Sequence, residues 1–227
     1  MQTRFCVNWR LVPKKIIAGV IAAIVVVAIA LYVFPVLKVS SIEVEGVQNA
    51  DAGVVKEAAS VGSSANMLRV DTDAVAEKVA QVPWVEQVTV SRAWPSTLKV
   101  QVTEHTPVAY FRNGNEVSAV NEAGKVFLKG VAPEGAKEIA GVKPEDSKAI
   151  TAATTAITAL HPKVREKLER VEAKTAESLV LQFAEGKTVV WGSAERASEK
   201  AEATRVVLTQ EGKKWNVSNP AMPSGRP

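Results

Sequence analysis

The chain has 227 residues, 47% hydrophobic and 23% charged, with a net charge of +4. Arg4, Arg10, Lys14 and Lys15 are the only charges before Ile16, the first acidic residue is Glu43, and from Ile16 onward basic and acidic residues are equal in number. The basic excess therefore belongs to a short N-terminal tail, which excludes a folded phosphate-binding face and hence a nucleic-acid partner. A single cysteine, Cys6, excludes an intramolecular disulfide.

Residues 1-15 form the tail. Ile16 to Leu37 then runs 22 residues without a charge. At 1.5 Å per residue a helix of that length reaches about 33 Å, enough for a bilayer core. The expectation is a transmembrane helix over 16-37, with Tyr32 and Trp9 as interfacial aromatics and Pro35 ending the last turn. Four basic residues before it, against Lys38 after it, place the N-terminus in the cytoplasm. Ala28-Ile29-Ala30 offers a competing reading as a signal-peptide cleavage site, but the apolar run continues past it. On either reading the rest of the chain is exported.

Val39 to Gly46 alternates as a half-buried strand. Asp51 caps a predicted helix through about Ser60, with Val54, Val55 and Ala58 inward. Gly62 to Asn66 is a loop. Asp71 caps a second helix carrying Val75, Val79 and Val82, stopped by Pro83. Val85 to Arg92 and Leu98 to Glu104 alternate as strands around the turn Ala93-Trp94-Pro95-Ser96-Thr97. The order strand, helix, helix, strand, strand predicts an α+β layer of two helices on a small sheet.

These residues resemble the POTRA module. Asn66-Met67-Leu68-Arg69-Val70-Asp71 is similar to its "N-hydrophobic-hydrophobic-x-hydrophobic-D". Pro83-Trp84-Val85 is similar to "PWV", Arg92-Ala93-Trp94-Pro95-Ser96-Thr97-Leu98 to "R-x-WP-x-TL", and Glu104-His105-Thr106-Pro107-Val108-Ala109 to "EH/R-x-PVA". After a single anchor, the set resembles the FtsQ/DivIB family of bacterial cell-division proteins.

The second segment reads as a β-rich α+β domain. Glu116 to Val120 and Lys125 to Leu128 are short strands around Asn121-Glu122-Ala123-Gly124. Val131 to Lys143 is a loop, with Ile139 to Val142 packing inward. Glu145 to Leu160 is a helix carrying Ile150, Ile157 and Leu160, ended by His161-Pro162. Lys167 to Ala173, Leu179 to Phe183 and Thr188 to Trp191 alternate as strands, with a hairpin at Glu185-Gly186. Ser193 caps a helix to about Gln210. Trp215-Asn216-Val217-Ser218 is a last short strand, ahead of a Pro-rich tail. The expected domains are POTRA over 38-106, the β domain over 107-218 and the tail over 219-227.

Chemistry-bearing groups are sparse. Glu104 and His105 are neighbours on an extended chain and point to opposite faces. His105 reads as a surface or domain-junction residue, and His161 as a helix terminator. No His/Cys cluster has metal spacing, and neither Gly-Lys-Ser/Thr nor G-x-S-x-G occurs. The chain is expected to be no enzyme and to need no cofactor or metal. Trp84 and Trp191 read as core. Trp94, at a hairpin tip, is either a partner contact or a turn residue stacked on Pro95. Trp215 opens either an edge strand able to accept another chain or an interior strand.

The family resemblance implies a non-enzymatic scaffold at the division septum. It would link the coiled-coil membrane proteins FtsB and FtsL and help control the septal peptidoglycan synthase machinery. It implies docking by strand addition on Trp215, Asn216, Val217 and Ser218, followed by Pro220 and Met222, with Trp94 as a further contact. A POTRA-type chaperone or translocation module is the other reading, weakened by the lack of lipid-facing β segments. A cell-wall enzyme lacks its nucleophiles and ligands.

Overall fold

The computed structural model describes residues 14–33, 37–62 and 65–226. The chain divides into two compact units, with the boundary between Glu104 and His105.

The first unit begins with α1 (Lys14–Val33). Its described apolar side chains, among them Val20, Ile24, Val27 and Ile29, are exposed. Among the described residues no helix is long and apolar enough to cross a membrane. The predicted span Ile16 to Leu37 includes positions 34–36, which lie outside the described residues, as do Trp9 and Cys6.

Beyond α1 come β1 (Ser41–Glu45), α2 (Ala52–Ala58), α3 (Thr72–Val79), β2 (Val85–Ala93) and β3 (Thr97–Glu104). The sheet order is β1-β3-β2, with β1 parallel and β2 antiparallel to β3. Both helices start where an aspartate satisfies free amides: Asp51 accepts from Gly53 N, and Asp71 from Asp73 N and Ala74 N. Helix α3 stops at Val79, ahead of Pro83, because a proline disfavours helical geometry in the residue before it. Val55, Val75 and Val79 pack with Leu98, Val100 and Val102 of β3. Each such buried side chain contributes about 1.5–3 kcal/mol. Trp84 is only half-buried, packed against this core from its margin.

The family-like motifs lie at the joints of this unit. Arg92 Nε donates to Met67 O at 2.9 Å and its Nη2 to Val70 O at 2.6 Å, so β2 grips the α2–α3 loop. Asn66 Oδ1 accepts from Leu68 N at 3.0 Å and turns that loop. Glu104 accepts from the backbone amides of Gln48, Asn49 and Ala50 and from Asn49 Nδ2, all within 3.0 Å.

The second unit is one nine-stranded sheet. It comprises β4 (Pro107–Asn113), β5 (Glu116–Asn121), β6 (Val126–Lys129), β7 (Lys137–Ala140), β8 (Leu168–Ala173), β9 (Leu179–Phe183), β10 (Thr188–Gly192), β11 (Lys214–Asn216) and β12 (Ser224–Arg226). Their order is β12-β11-β10-β9-β8-β7-β4-β5-β6. Helices α4 (Ser147–Ala159), α5 (Pro162–Glu166) and α6 (Ala197–Val207) complete the unit. The core joins Ile150 and Ile157 of α4 to Phe111, Ile139, Val171, Leu181 and Trp191.

Three expectations change here. The loop predicted over Val131 to Lys143 holds β7, an interior strand parallel to both β4 and β8. Four residues with a single fully buried apolar side chain, Ile139, carry too little alternation to read as a strand. His161 ends α4 but also opens α5, because Pro162 fits the first helical position, where no amide is needed. Ser193 does not cap α6, which begins after Arg196 in a left-handed conformation (φ 54°) with no side-chain cap. The Ser193 carbonyl instead accepts from the buried Lys200 Nζ at 2.9 Å.

Of the two readings of His105, the structure favours the domain junction over the surface: it opens the second unit and is buried at 4% exposure. Asn121 Nδ2 lies 3.1 Å from its Nδ1, and its ring stands 4.7 Å from that of Phe127.

Candidate docking edge at the end of the nine-stranded sheet

Helix α6 is a crossover. It leaves β10 and returns the chain as β11, parallel to β10 in the register Thr188↔Lys214, Val189↔Trp215, Val190↔Asn216. Lys187 fixes the return by donating to the carbonyls of Leu208 (2.7 Å) and Gln210 (3.1 Å) at the C-terminal end of α6. A cation there also suits the negative end of the helix dipole. Thr188 N donates to Lys213 O at 2.7 Å and Val217 N to Val190 O at 2.9 Å, so backbone pairing brackets the strand.

After β11, Asn216 Oδ1 accepts from Ser218 N and Asn219 Oδ1 from Ala221 N. These side-chain turns reverse the chain, as asparagines do. Residues Ser224–Arg226 then return antiparallel as β12, in the register Lys214↔Arg226, Trp215↔Gly225, Asn216↔Ser224.

Trp215–Ser218 is therefore not the outer edge of the sheet. The strand is Lys214–Asn216, it is interior, and the edge belongs to β12. A tail of Ser-Gly-Arg has no apolar alternation to announce a strand. Its place is fixed by a contact distant from any local pattern: Gly225 lies over the Trp215 ring, where a Cβ would come 2.5–2.8 Å from the indole carbons.

The predicted site residues divide accordingly. Trp215 is half-buried and packed on the core, Asn216, Ser218 and Met222 are exposed, and Pro220 is half-buried. Val217 is fully buried in the core. Trp94 belongs to the other unit, at the β2–β3 turn, and is 56% exposed. The Trp215 indole N–H is buried without a hydrogen-bond partner among the described residues.

The sequence suggested the helix after Ser193 as a flank of the edge but not the cleft beside it. An open cleft of about 390 Å³ separates α6 from the returning chain, lined by Glu199, Glu202, Ala203, Val206, Pro220, Ala221 and Pro223. Its floor is apolar, and Val206 is 44% exposed. Hydrogen bonding to Arg196 holds the Glu199 carboxyl below its ordinary value, and Arg205 does the same for Glu202. Both acids are paired three residues along the helix, so the rim presents matched charges rather than a field of one sign. Among the described residues no group of three or more His, Cys, Asp or Glu could hold a metal.

Residues 37–105 match the model of the FtsQ-type POTRA domain, and residues 109–218 match that of the cell division protein FtsQ/DivIB C-terminal domain. The FtsQ of Corynebacterium glutamicum is 35% identical over 216 residues, covering 92% of this chain and 97% of that protein. This chain belongs to the FtsQ/DivIB family of cell division proteins. The FtsQ of Mycolicibacterium smegmatis is 33% identical over 94% of this chain and 67% of its own length. The extracytoplasmic domain of DivIB from Geobacillus stearothermophilus aligns over 47% of this chain and 96% of its own, at 17% identity and a TM-score of 0.36, too slight a likeness to argue from. The mixed α+β architecture, a POTRA unit followed by a β-rich unit, is that of the family.

Proposed function

We propose that this chain is a membrane-anchored, non-enzymatic scaffold of the division septum, with its N-terminus cytoplasmic and both units outside. In this reading α1 and its sequence continuation form the anchor. Two features support that: exposed apolar side chains along the described helix, and an apolar run that continues beyond it.

The partner surface is the β12 edge with the α6 cleft behind it. A strand of an FtsB- or FtsL-like division protein would add to the outer edge of Ser224–Arg226, and an apolar side chain beside it would enter the cleft floored by Ala203 and Val206. The observation that carries the reading is the position of β12 at the end of the sheet, paired on one side only among the described residues. Backbone amides and carbonyls on its other side are free to bond an added strand.

The test is binding of the extracytoplasmic segment of the cognate FtsB-like protein to the purified chain. Deleting residues 223–227 is expected to weaken binding by about tenfold or more, the equivalent of at least one to two backbone hydrogen bonds. Unchanged affinity would remove the edge from the interface. Imaging a fluorescent fusion tests the larger claim: septal enrichment is expected, and a uniform membrane signal would contradict it.

A further inference from the structure

Three exposed apolar side chains of the first unit converge on the end where α1 leaves it. Tyr32, near the end of α1, is 56% exposed, Leu68 is 39% exposed and Trp94 is 56% exposed. The chain ties them together. Asn66 Nδ2 donates to Tyr32 O at 3.2 Å, and Met67 N to Leu37 O at 2.7 Å. The Arg69 guanidinium stands 5.6 Å over the Tyr32 ring. Ser40 N and Ser41 N both donate to Ser96 O, so the β2–β3 turn bearing Trp94 lies at the start of β1, on the same side. Leu68 and Trp94 are each two residues from one of these bonded positions, within about 7 Å along even an extended chain.

The cations gather at the same end. Lys38 pairs with Asn66 through the backbone as an isolated antiparallel β-bridge, and Lys38 and Arg69 are both exposed. The nearby Asp71 carboxylate is occupied in capping α3.

We propose that this end of the first unit rests on the bilayer, with Trp94 and Leu68 at headgroup level and Lys38 and Arg69 facing the phosphates of anionic phospholipids. The inference rests on α1 being the membrane span. Sequence then sets the level: counted as a helix from Ile16, where the charge-free run begins, about 30 Å of hydrocarbon takes up roughly 20 residues, so Tyr32 and what is bonded beside it fall near the outer boundary. Tryptophan and tyrosine favour that layer because their rings are apolar and their N–H or O–H groups find water. The occupant is the lipid of the bilayer that holds α1.

The experiment uses the full chain in lipid nanodiscs, with Cys6→Ser as background. Single cysteines introduced as Leu68→Cys, Trp94→Cys, Gln101→Cys and Val26→Cys carry a small fluorophore, and phosphatidylglycerol or phosphatidylcholine discs carry nitroxide-labelled lipids. Gln101 is an exposed control, four residues beyond Thr97 and about 13 Å further along β3. Headgroup nitroxides are expected to quench positions 68 and 94 several-fold more than position 101, and more in phosphatidylglycerol than in phosphatidylcholine. The double variant Lys38→Gln with Arg69→Gln should abolish the lipid difference. Equal quenching at 68, 94 and 101, with Val26 quenched by deep acyl nitroxides, overturns the interface and leaves the anchor standing. Loss of quenching at Val26 overturns both. Lipid-only discs contain no other protein, so a Trp94 that serves only a protein partner behaves like Gln101.

Discussion

Glu104 closes the first unit upon itself. Burial pushes its carboxyl up, but hydrogen bonds from Ala50, Gln48 and Asn49 outweigh that and leave it below the ordinary carboxylate value. A group lowered on folding contributes stability that is complete above the unfolded value of about 4.3 and is lost as pH falls through the folded one. Urea unfolding of the first unit should therefore show an acid limb below about pH 4.3 that Glu104→Ala flattens. That variant should cost about 1–2 kcal/mol near neutrality, allowing for solvent screening at this half-exposed site. Arg92→Lys should cost about 1–2 kcal/mol by the same measurement, because a point ammonium cannot serve the Met67 and Val70 carbonyls in the fixed fork of a guanidinium. In the second unit Gly124 has φ +79°, and a Cβ there would meet Thr151 Oγ1 at 2.5 Å and the helix backbone at 3.0 Å. Gly124→Ala should lower stability by about 1–3 kcal/mol, read as a shifted denaturation midpoint.

At the scale of elements, β12 is the weakest strand of the sheet edge: three residues, bonded on one side. Gly225→Val would press a side chain into the Trp215 ring. Hydrogen exchange at residues 214–216 and 224–226 should accelerate, while Thr188–Gly192, bonded also to β9, keeps its protection. Equal acceleration throughout would mean that β12 supports the whole sheet. The POTRA elements were legible because each carries its own punctuation: Asp51 and Asp71 at helix starts, alternation in β2 and β3, Pro83 after α3. The elements that were not legible owe their form to neighbours. Lys137–Ala140 is a strand because β4 and β8 bond it on both sides. Ser224–Arg226 is a strand because Trp215 offers a ring that only glycine can cover. Such nonlocal causes leave no periodic trace.

For the whole molecule, two units with separate cores make interface and stability separable by mutation. Val217→Pro would remove the amide that bonds Val190 O and disturb a fully buried position, so it should unfold the second unit rather than report on docking. Circular dichroism of that variant should show loss of structure, whereas deletion of 223–227 should keep it. The candidate site was legible as a region and misread in detail. Trp215 and Asn216 were legible as a short strand, and that strand lies second from one end of the sheet. The sequence reading placed Val217 in the docking strand and left β12 and the α6 cleft unseen, because Ser224–Arg226 has no apolar alternation and the cleft is formed by segments distant in the chain.

The parallel pairing of β1 with β3 has a mechanical consequence. With α1 anchored as proposed above, tension between it and a load on the second unit would pull the N-terminal end of β1 against the C-terminal end of β3. In parallel strands those forces run along the pair in opposite directions, so all five register positions from Ser41↔Thr97 to Glu45↔Gln101 carry the load together. At the other end of the chain, tension on the C-terminus meets β12 antiparallel to β11 and peels it one residue at a time. Tension applied across the chain would strip β12 before it sheared β1 from β3.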